Sequence, residues 1–386
     1  MVRLRRICPH PERLMPTFSP HQHSALKAVA DWLKARPGKN STPQVFRLFG
    51  YAGTGKTTLA RHIAEGVDGN VKFAAFTGKA ALVMRNKGCD DASTIHSLIY
   101  RARESGVEQP SFELWDDAPA SKAKLIVIDE CSMVDAEMGR DLLSFDCPLL
   151  VLGDPAQLPP IQGAGFFTDG TPDAMLTEVH RQAQDDPIVR MSMDVREGRD
   201  LDIGRYGESE VVARSELDPS RVMAADQILV GRNNTRRAYN ARMRQRQNIE
   251  DPLPVAGDKL VCLRNNRKKG LFNGGLWRVK SRTASRAKTS RILSLRLSPD
   301  EEFAHKVTKV SVRQDCFEGG VDTIPWEQRK PYDEFDFGYV LTVHKSQGSQ
   351  WDDVVLFDES FAFQDARARW LYTGITRAAK RLSIVV

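Results

Sequence analysis

The stretch Gly50-Tyr51-Ala52-Gly53-Thr54-Gly55-Lys56-Thr57 constrains the fold of this chain more than any other part of it. It fits the pattern of two glycines separated by four residues and followed by lysine and a hydroxyl residue. An apolar, β-prone run, Val45–Phe49, precedes it, and Thr57 and Thr58 lead into a segment with helical spacing. Glycines let backbone N–H groups close around phosphate oxygens, and a following helix offers its positive N-terminus. Lys56 is placed to reach the β- and γ-phosphates of a nucleotide, and the Thr57 hydroxyl to bind Mg²⁺. Such a loop works only between a buried strand and a helix, so a parallel α/β sheet is expected.

The rest of the chain has that rhythm. Ser19-Pro20 supplies an N-cap and a first-turn proline, and Leu26, Val29, Ala30 and Leu33 then recur at helical spacing until Pro37-Gly38. Val45–Phe49, Val71–Thr77, Leu125–Asp129 and Leu149–Gly153 are short apolar runs of the kind buried on both faces of a parallel sheet. The alternation resumes at Ile228–Gly231, Tyr339–Val343, Val354–Phe357 and Leu382–Val386. Two α/β lobes are expected, residues 1–180 and then 181–265 with 332–386. Residues 100–122 are polar and turn-rich, an insertion in the first lobe. Residues 266–331 carry alternating stretches (Trp277–Ser281, Ile292–Leu297, Val307–Val312) that predict a small β insertion in the second.

Leu125-Ile-Val-Ile-Asp129-Glu130 is a buried strand ending in two acids. One carboxylate there can hold Mg²⁺ and its neighbour can polarise an attacking water. Leu152-Gly153-Asp154-Pro-Ala-Gln157-Leu-Pro-Pro160 follows the next run, and Gln157 is suited to sensing a γ-phosphate. Alone, that segment reads as a Gly/Pro turn leaving the sheet rather than as a sensor.

In order along the chain, Gly50–Thr57, Phe76–Ala81, Thr94–Ser97, Asp129–Met133, Gly153–Pro160, Leu176–Gln182, Gly257-Asp258, Asn265–Asn273, Val343–Gly348 and Trp370–Ala378 resemble the motifs of superfamily 1 helicases. The similarity is to the B-type branch that includes RecD and the phage helicase Dda, and it covers roughly residues 19–386. It implies two tandem RecA-like lobes, a pin-like insertion at 100–122 and an SH3-like insertion at 266–331. The activity implied is ATP-dependent 5′-to-3′ movement on single-stranded DNA with unwinding of duplexes, ATP and Mg²⁺ being the cofactors.

The resemblance also implies roles by position. Gln22 corresponds to the glutamine that recognises adenine, and Gly348 adds to the nucleotide contacts of residues 50–58. Lys56, Glu130, Gln157, Arg181 and Arg377 form the catalytic set, the two arginines reaching the γ-phosphate. A delocalised cation there stabilises charge on the transferring phosphoryl. Thr57 and Asp129 hold the metal. Thr77, Lys79, Thr94, His96, His344, Lys345 and Ser346 line the nucleic-acid track, where phosphate contacts carry no base sequence. Phe112 and Trp115 are the aromatic faces of the insertion, which reads equally as a solvent loop. The family often has an acid where this chain has Gln350, two residues after Gly348.

Charge is compatible with this reading without requiring it. Lysine and arginine number 56 against 50 acids, an excess of +6 that permits a polyanionic partner. The six cysteines are scattered with no C-x-x-C pair, which suggests neither a disulfide framework nor a zinc site. No run approaches the ~20 apolar residues of a membrane span, and the basic, proline-broken opening lacks the apolar run that a signal peptide needs. A soluble, intracellular, cytoplasmic protein is expected, active as a monomer on single-stranded and forked duplex DNA, with replication or repair proteins as candidate partners. Two other readings stay open: an RNA helicase or remodeller, and a non-translocating P-loop switch that binds a partner protein.

Overall fold

The computed structural model describes residues 18–35, 37, 43–102, 112–159, 165–178, 185–266, 269–283, 291–300, 307–319 and 324–386. Contacts divide them into two compact units: residues up to 201 together with 368–376, and residues 202–367 together with 377–386.

The first unit contains β1 (Val45–Gly50), β2 (Val71–Ala75), β3 (Ser93–Thr94), β4 (Tyr100–Ala102), β5 (Phe112–Leu114), β6 (Leu125–Asp129), β7 (Leu149–Gly153) and β8 (Ala174–Leu176). Its helices are α1 (Pro20–Lys34), α2 (Lys56–Glu65), α3 (Gly78–Asn86), α4 (Ile95–Ile99), α5 (Ala136–Ser144) and α6 (Pro187–Arg196). Six strands form one sheet in the order β3-β2-β6-β7-β1-β8, and every neighbouring pair is parallel. Alternate residues of each strand face opposite cores, as the pleat demands. Leu48, Phe73, Leu125, Val127, Leu150 and Leu152 pack with α1, α2 and α3 on one side. Phe49, Ala74, Ile126, Ile128, Leu149 and Val151 pack with α4 and α5 on the other. Burial on both faces is why these strands read as unbroken apolar runs.

Local signals set the ends of these elements. Ser19 Oγ accepts from Gln22 N–H while the Gln22 side chain accepts from Ser19 N–H, a complete capping box at the start of α1. The run expected as Val71–Thr77 stops at Ala75, because Thr77 becomes the N-cap of α3 and accepts from Ala80 N–H at 3.1 Å. Residues 100–122 open with β4 and β5 as an antiparallel pair, Tyr100 opposite Leu114.

The second unit contains β9 (Gly204–Tyr206), β10 (Ser209–Val212), β11 (Gln227–Val230), β12 (Lys259–Cys262), β13 (Leu276–Thr283), β14 (Ile292–Pro299), β15 (Thr308–Arg313), β16 (Phe335–Phe337), β17 (Val340–Thr342), β18 (Trp351–Phe357) and β19 (Ala378–Val385). Helices α7 (Pro219–Ala224), α8 (Asn233–Arg246), α9 (Asp315–Glu318) and α10 (Trp326–Arg329) belong to it, and α11 (Arg367–Ile375) precedes β19 in the chain. One sheet runs β17-β11-β18-β19-β10-β9, parallel except for the β9–β10 hairpin. A second sheet, β15-β14-β13-β12-β16, is antiparallel throughout. It takes in two strands that flank residues 266–331. Its core is Leu260, Val279, Leu295, Leu297, Val310, Val312 and Phe335. Asp258, fully buried, is held by Arg244 (3.0 and 3.1 Å) and by the Tyr339 hydroxyl (2.8 Å), which satisfies a charge that burial alone would penalise.

No described helix is long and apolar enough to cross a membrane.

Candidate active site

In the first sheet all strands run the same way, so β1, β2, β3, β6 and β7 present their carboxyl ends along one edge. That edge is where open parallel sheets bind ligands. Gly50, Thr94, Asp129 and Gly153 terminate strands there. The loop after β1 needs its glycines. Gly53 and Gly55 have φ of 77° and 79°, in the left-handed region that side chains disfavour. A Cβ on Gly50 would lie 2.7 Å from Thr54 Oγ1 and 2.8 Å from Leu176 Cβ.

Lys56 opens α2 and donates from Nζ to the carbonyls of Gly50 (2.6 Å) and Tyr51 (2.9 Å), so its charge lies over the loop's mouth. Thr57, one residue on, donates to Asp129 Oδ2 at 2.9 Å, joining α2 to the end of β6. Asp129 Oδ1 accepts from Glu130 N–H at 2.9 Å. Glu130 has φ 53° and ψ 46°, a costly conformation for a residue with a Cβ. It breaks the strand sharply and starts a short 3-10 turn, Cys131–Met133. Thr58 is exposed in the first turn of α2.

Thr57 and Asp129 suit Mg²⁺, because two hard oxygens converge there. No cluster of three or more metal-ligating side chains occurs among the described residues. Mg²⁺ is commonly held by one or two protein oxygens together with substrate phosphates, which is what this pair offers.

Gln22 is buried, and its amide donates to Thr54 C=O at 3.0 Å while accepting from Ser19 N–H at 3.0 Å. It therefore ties α1 to the phosphate-binding loop. Gln157 is also buried. Its N–H donates to Asp154 C=O at 3.1 Å, and its Oε1 has no hydrogen-bond partner among the described residues.

Three contacts to the phosphate-binding loop and to the segment after β7 were not legible as such. The Tyr372 hydroxyl, on α11, accepts from Ala52 N–H at 3.0 Å and donates to Asp154 Oδ2 at 2.7 Å. Burial, and then the Asp154 charge, push the Tyr372 phenol well above its ordinary range, so it remains a donor. Thr373 accepts from Leu158 N–H at 3.0 Å. The Arg196 guanidinium stacks over the Tyr51 ring, 3.7 Å from its centroid. Tyr372 and Thr373 lie in the Trp370–Ala378 motif, the one signal that points to them; Arg196 lies in no motif.

Along the same sheet edge, Thr77 and Thr94 cap α3 and α4. Lys79 is buried on α3. His96 faces Phe76 and Tyr100, with ring centroids 6.1 and 5.6 Å away, and burial lowers its pKa. Trp115 is half-buried against the core of this unit, and its N–H donates to Ile99 C=O at 3.0 Å. Phe112 begins β5; its side chain, like Arg181, lies outside the described residues.

In the second unit, His344, Lys345 and Ser346 form a 3-10 turn directly after β17. Ser346 is fully buried and donates to Val343 C=O at 2.7 Å, whereas Lys345 is exposed. His344 stacks near Phe363, centroids 5.4 Å apart, and burial lowers its pKa. Gly348 has φ 71°. Arg377 is buried and donates from Nη1 to Ser349 C=O at 3.1 Å. The Gln350 amide lies 3.5 Å from Ala378 C=O.

A UvrD-like helicase C-terminal domain matches residues 337–385. The ATP-dependent RecD2 DNA helicase of Deinococcus radiodurans is 25% identical over 350 residues, which cover 86% of this chain and 46% of that protein. The ATP-dependent DNA helicase dda of Enterobacteria phage T4 is 32% identical over 165 residues, 39% of this chain and 37% of that one. The chain thus spans less than half the length of these two relatives. The ATP-dependent DNA helicase Pif1 of Bdellovibrio bacteriovorus is 24% identical over 394 residues, with 88% and 83% covered. Among solved structures, Pif1 helicase from Candida albicans superposes with a TM-score of 0.56 at 19% identity, covering 96% of this chain and 94% of that one. That likeness places the α/β, parallel-sheet architecture with the Pif1-like fold. An AAA domain model matches residues 20–216, just over half of the chain, and the chain belongs to this AAA-domain family, in the superfamily 1B branch with RecD-like and Dda-like proteins.

Proposed function

We propose that this chain is an ATP-driven DNA helicase that moves 5′ to 3′ on single strands and opens forked duplexes. One observation carries the reading: Lys56, Thr57, Asp129 and Glu130 converge at the carboxyl edge of a single parallel sheet. Three of the relatives, RecD2, dda and Pif1, are named ATP-dependent DNA helicases, which supports the same conclusion. We take the two units as tandem RecA-like lobes and the β12–β16 sheet as the SH3-like insertion.

In this reading Lys56 exchanges its carbonyl partners for the β- and γ-phosphates, and the loop N–H groups surround the remaining oxygens. Mg²⁺ held at Thr57 and Asp129 would neutralise charge between those phosphates. Glu130 accepts the proton of the attacking water, and the free Oε1 of Gln157 orients that water or registers the γ-phosphate. Arg377 and Arg181 stabilise charge on the transferring phosphoryl. Gln22 recognises adenine by giving up a hydrogen bond that it now makes, such as the one to Thr54 C=O. Thr77, Lys79, Thr94, His96, His344, Lys345 and Ser346 follow the strand's backbone, with Ser346 acting through the turn it closes.

The test is strand displacement on DNA and RNA duplexes carrying either a 5′ or a 3′ tail, with ATPase measured alongside. Unwinding of DNA from a 5′ tail alone is expected, with ATPase near idle until single strands are added. Unwinding only from a 3′ tail removes the polarity, and a preference for RNA tails substitutes the remodeller reading.

A further inference from the structure

A cleft of about 210 Å³ opens in the second unit between α7, α8 and the sheet, formed by residues outside every motif quoted above. Met223, Tyr239 and Phe357 are among the residues of its apolar floor, and Arg214, Arg242 and Arg246 stand around it. Among the described residues no acidic side chain lines it. Small-molecule sites run to roughly 300–1,000 Å³, so this space suits one or two side chains rather than a nucleotide.

The arginines divide by role. On α8, Arg236 pairs with Asp336 and Arg244 with Asp258, and both are buried. Arg242 and Arg246, one turn apart on the same helix face, are exposed and have no ion-pair partner among the described residues. Arg214 is held in place from across the cleft. Its Nη2 donates to the Tyr239 hydroxyl at 3.0 Å, and its guanidinium lies 5.5 Å from the Phe357 ring centroid. Apolar floor and unpaired cationic rim together form an amphipathic receptor.

We propose that this cleft docks a partner protein through a short acidic segment ending in a bulky apolar side chain. Charge complementarity selects the acidic residues, and the floor takes the apolar one. Two other occupants fit less well. Binding a nucleic-acid base needs an open aromatic face, but Phe357 is 5% exposed and packs edge-on against Tyr239 at 4.9 Å and 81°. The chain's own residues 1–17 carry four arginines and one glutamate, the wrong sign for this rim.

The experiment is fluorescence anisotropy of fluorescein-labelled Asp-Asp-Asp-Leu-Phe against the full chain. Saturable binding that weakens with salt is expected, falling about tenfold or more in the Arg242→Glu, Arg246→Glu double variant. A peptide with Ser-Ser in place of Leu-Phe should lose a similar factor on the unaltered protein, a readout independent of how the variant folds. Absence of saturable binding by the parent overturns the proposal, as does a peptide affinity indifferent to both changes. Stoichiometric displacement of the peptide by a single-stranded oligonucleotide overturns it in favour of a phosphate-binding site.

Discussion

Tyr372 and Asp154, 218 positions apart in the chain, share a buried hydrogen bond of 2.7 Å, and the same phenol oxygen receives Ala52 N–H of the phosphate-binding loop. A residue near the end of the chain thereby holds the conformation of a loop near its beginning. Replacing Tyr372 with phenylalanine keeps the ring but leaves a buried carboxylate and a loop N–H without their partner. The expected cost is about 1–3 kcal/mol of stability, with a raised KM for ATP as the loop loosens. Denaturant unfolding and steady-state ATPase measure both. Unchanged values in the two assays would mean that the network positions nothing.

The ATP reading itself rests on the charges around the loop. Lys56→Ala should abolish hydrolysis by removing the cation at the phosphates. Glu130→Gln should retain nucleotide binding and stop turnover, because an amide cannot take the water's proton. Equilibrium binding of a fluorescent ATP analogue, set beside turnover, separates the two. Near-normal ATPase in Glu130→Gln would remove that residue from its assigned role.

How much of this was readable beforehand follows from which contacts are local. β1, β2, β6 and β7 announce themselves because both faces are buried, and Asp129 and Glu130 follow from where β6 ends. Edge strands such as β3, with two residues, and β8, with three, are held by backbone pairing and are too short to stand out as strands. Tyr372 lies within a motif, yet its partners Ala52 and Asp154 lie 320 and 218 positions away, and no sequence spacing encodes such a meeting. The arginines of α8 show the same limit. Composition counts them alike, whereas the fold pairs Arg236 and Arg244 and leaves Arg242 and Arg246 exposed.

Arg377 bonds to Ser349 C=O with one arm of its guanidinium. If it stabilises charge as the phosphoryl transfers, Arg377→Ala should lower kcat more than it changes nucleotide affinity, and Arg181→Ala should behave likewise. Arg377→Lys should not recover the rate, since an ammonium lacks the planar fork. A large loss of affinity at constant kcat would contradict the role.

Acid should destabilise the fold through two imidazoles. Burial lowers the pKa of His96, with Asp135 opposing it, and of His344 below the ordinary 6.5. Both are held neutral in the folded state, so below pH 6.5 the unfolded chain binds more protons. Their contribution is complete above that value and is lost as pH falls through the folded pKa values. Urea unfolding midpoints of the parent should therefore drop from pH 7.5 to pH 5.5 by more than those of His96→Asn, His344→Asn. Equal drops would show that these rings do not titrate as described.

The last prediction concerns how a duplex is opened. Translocation on a single strand needs an ATP site and a track, but separating strands also needs a rigid element at the fork. A base step is worth ~1.4 kcal/mol of stacking, and stacking on an aromatic ring can return ~1–3 kcal/mol per base, so a small wedge can bias fraying forward. The β4–β5 hairpin is the candidate. Its base belongs to the core: Ala118 and Ala120 are fully buried there, Trp115 packs beside them, and Trp115 N–H is bonded to Ile99 C=O. Removing all of residues 103–120 would therefore damage the first unit as well as the hairpin. The informative change replaces only residues 103–111 with a short Gly/Ser linker, and Phe112→Ala and Trp115→Ala are made separately. DNA-stimulated ATPase should stay near the parent's while unwinding of a 5′-tailed fork falls severalfold or more. If the shortened protein unwinds as fast as the parent, the hairpin is a surface loop and strand separation belongs to another element, with the β12–β16 sheet next to be tested.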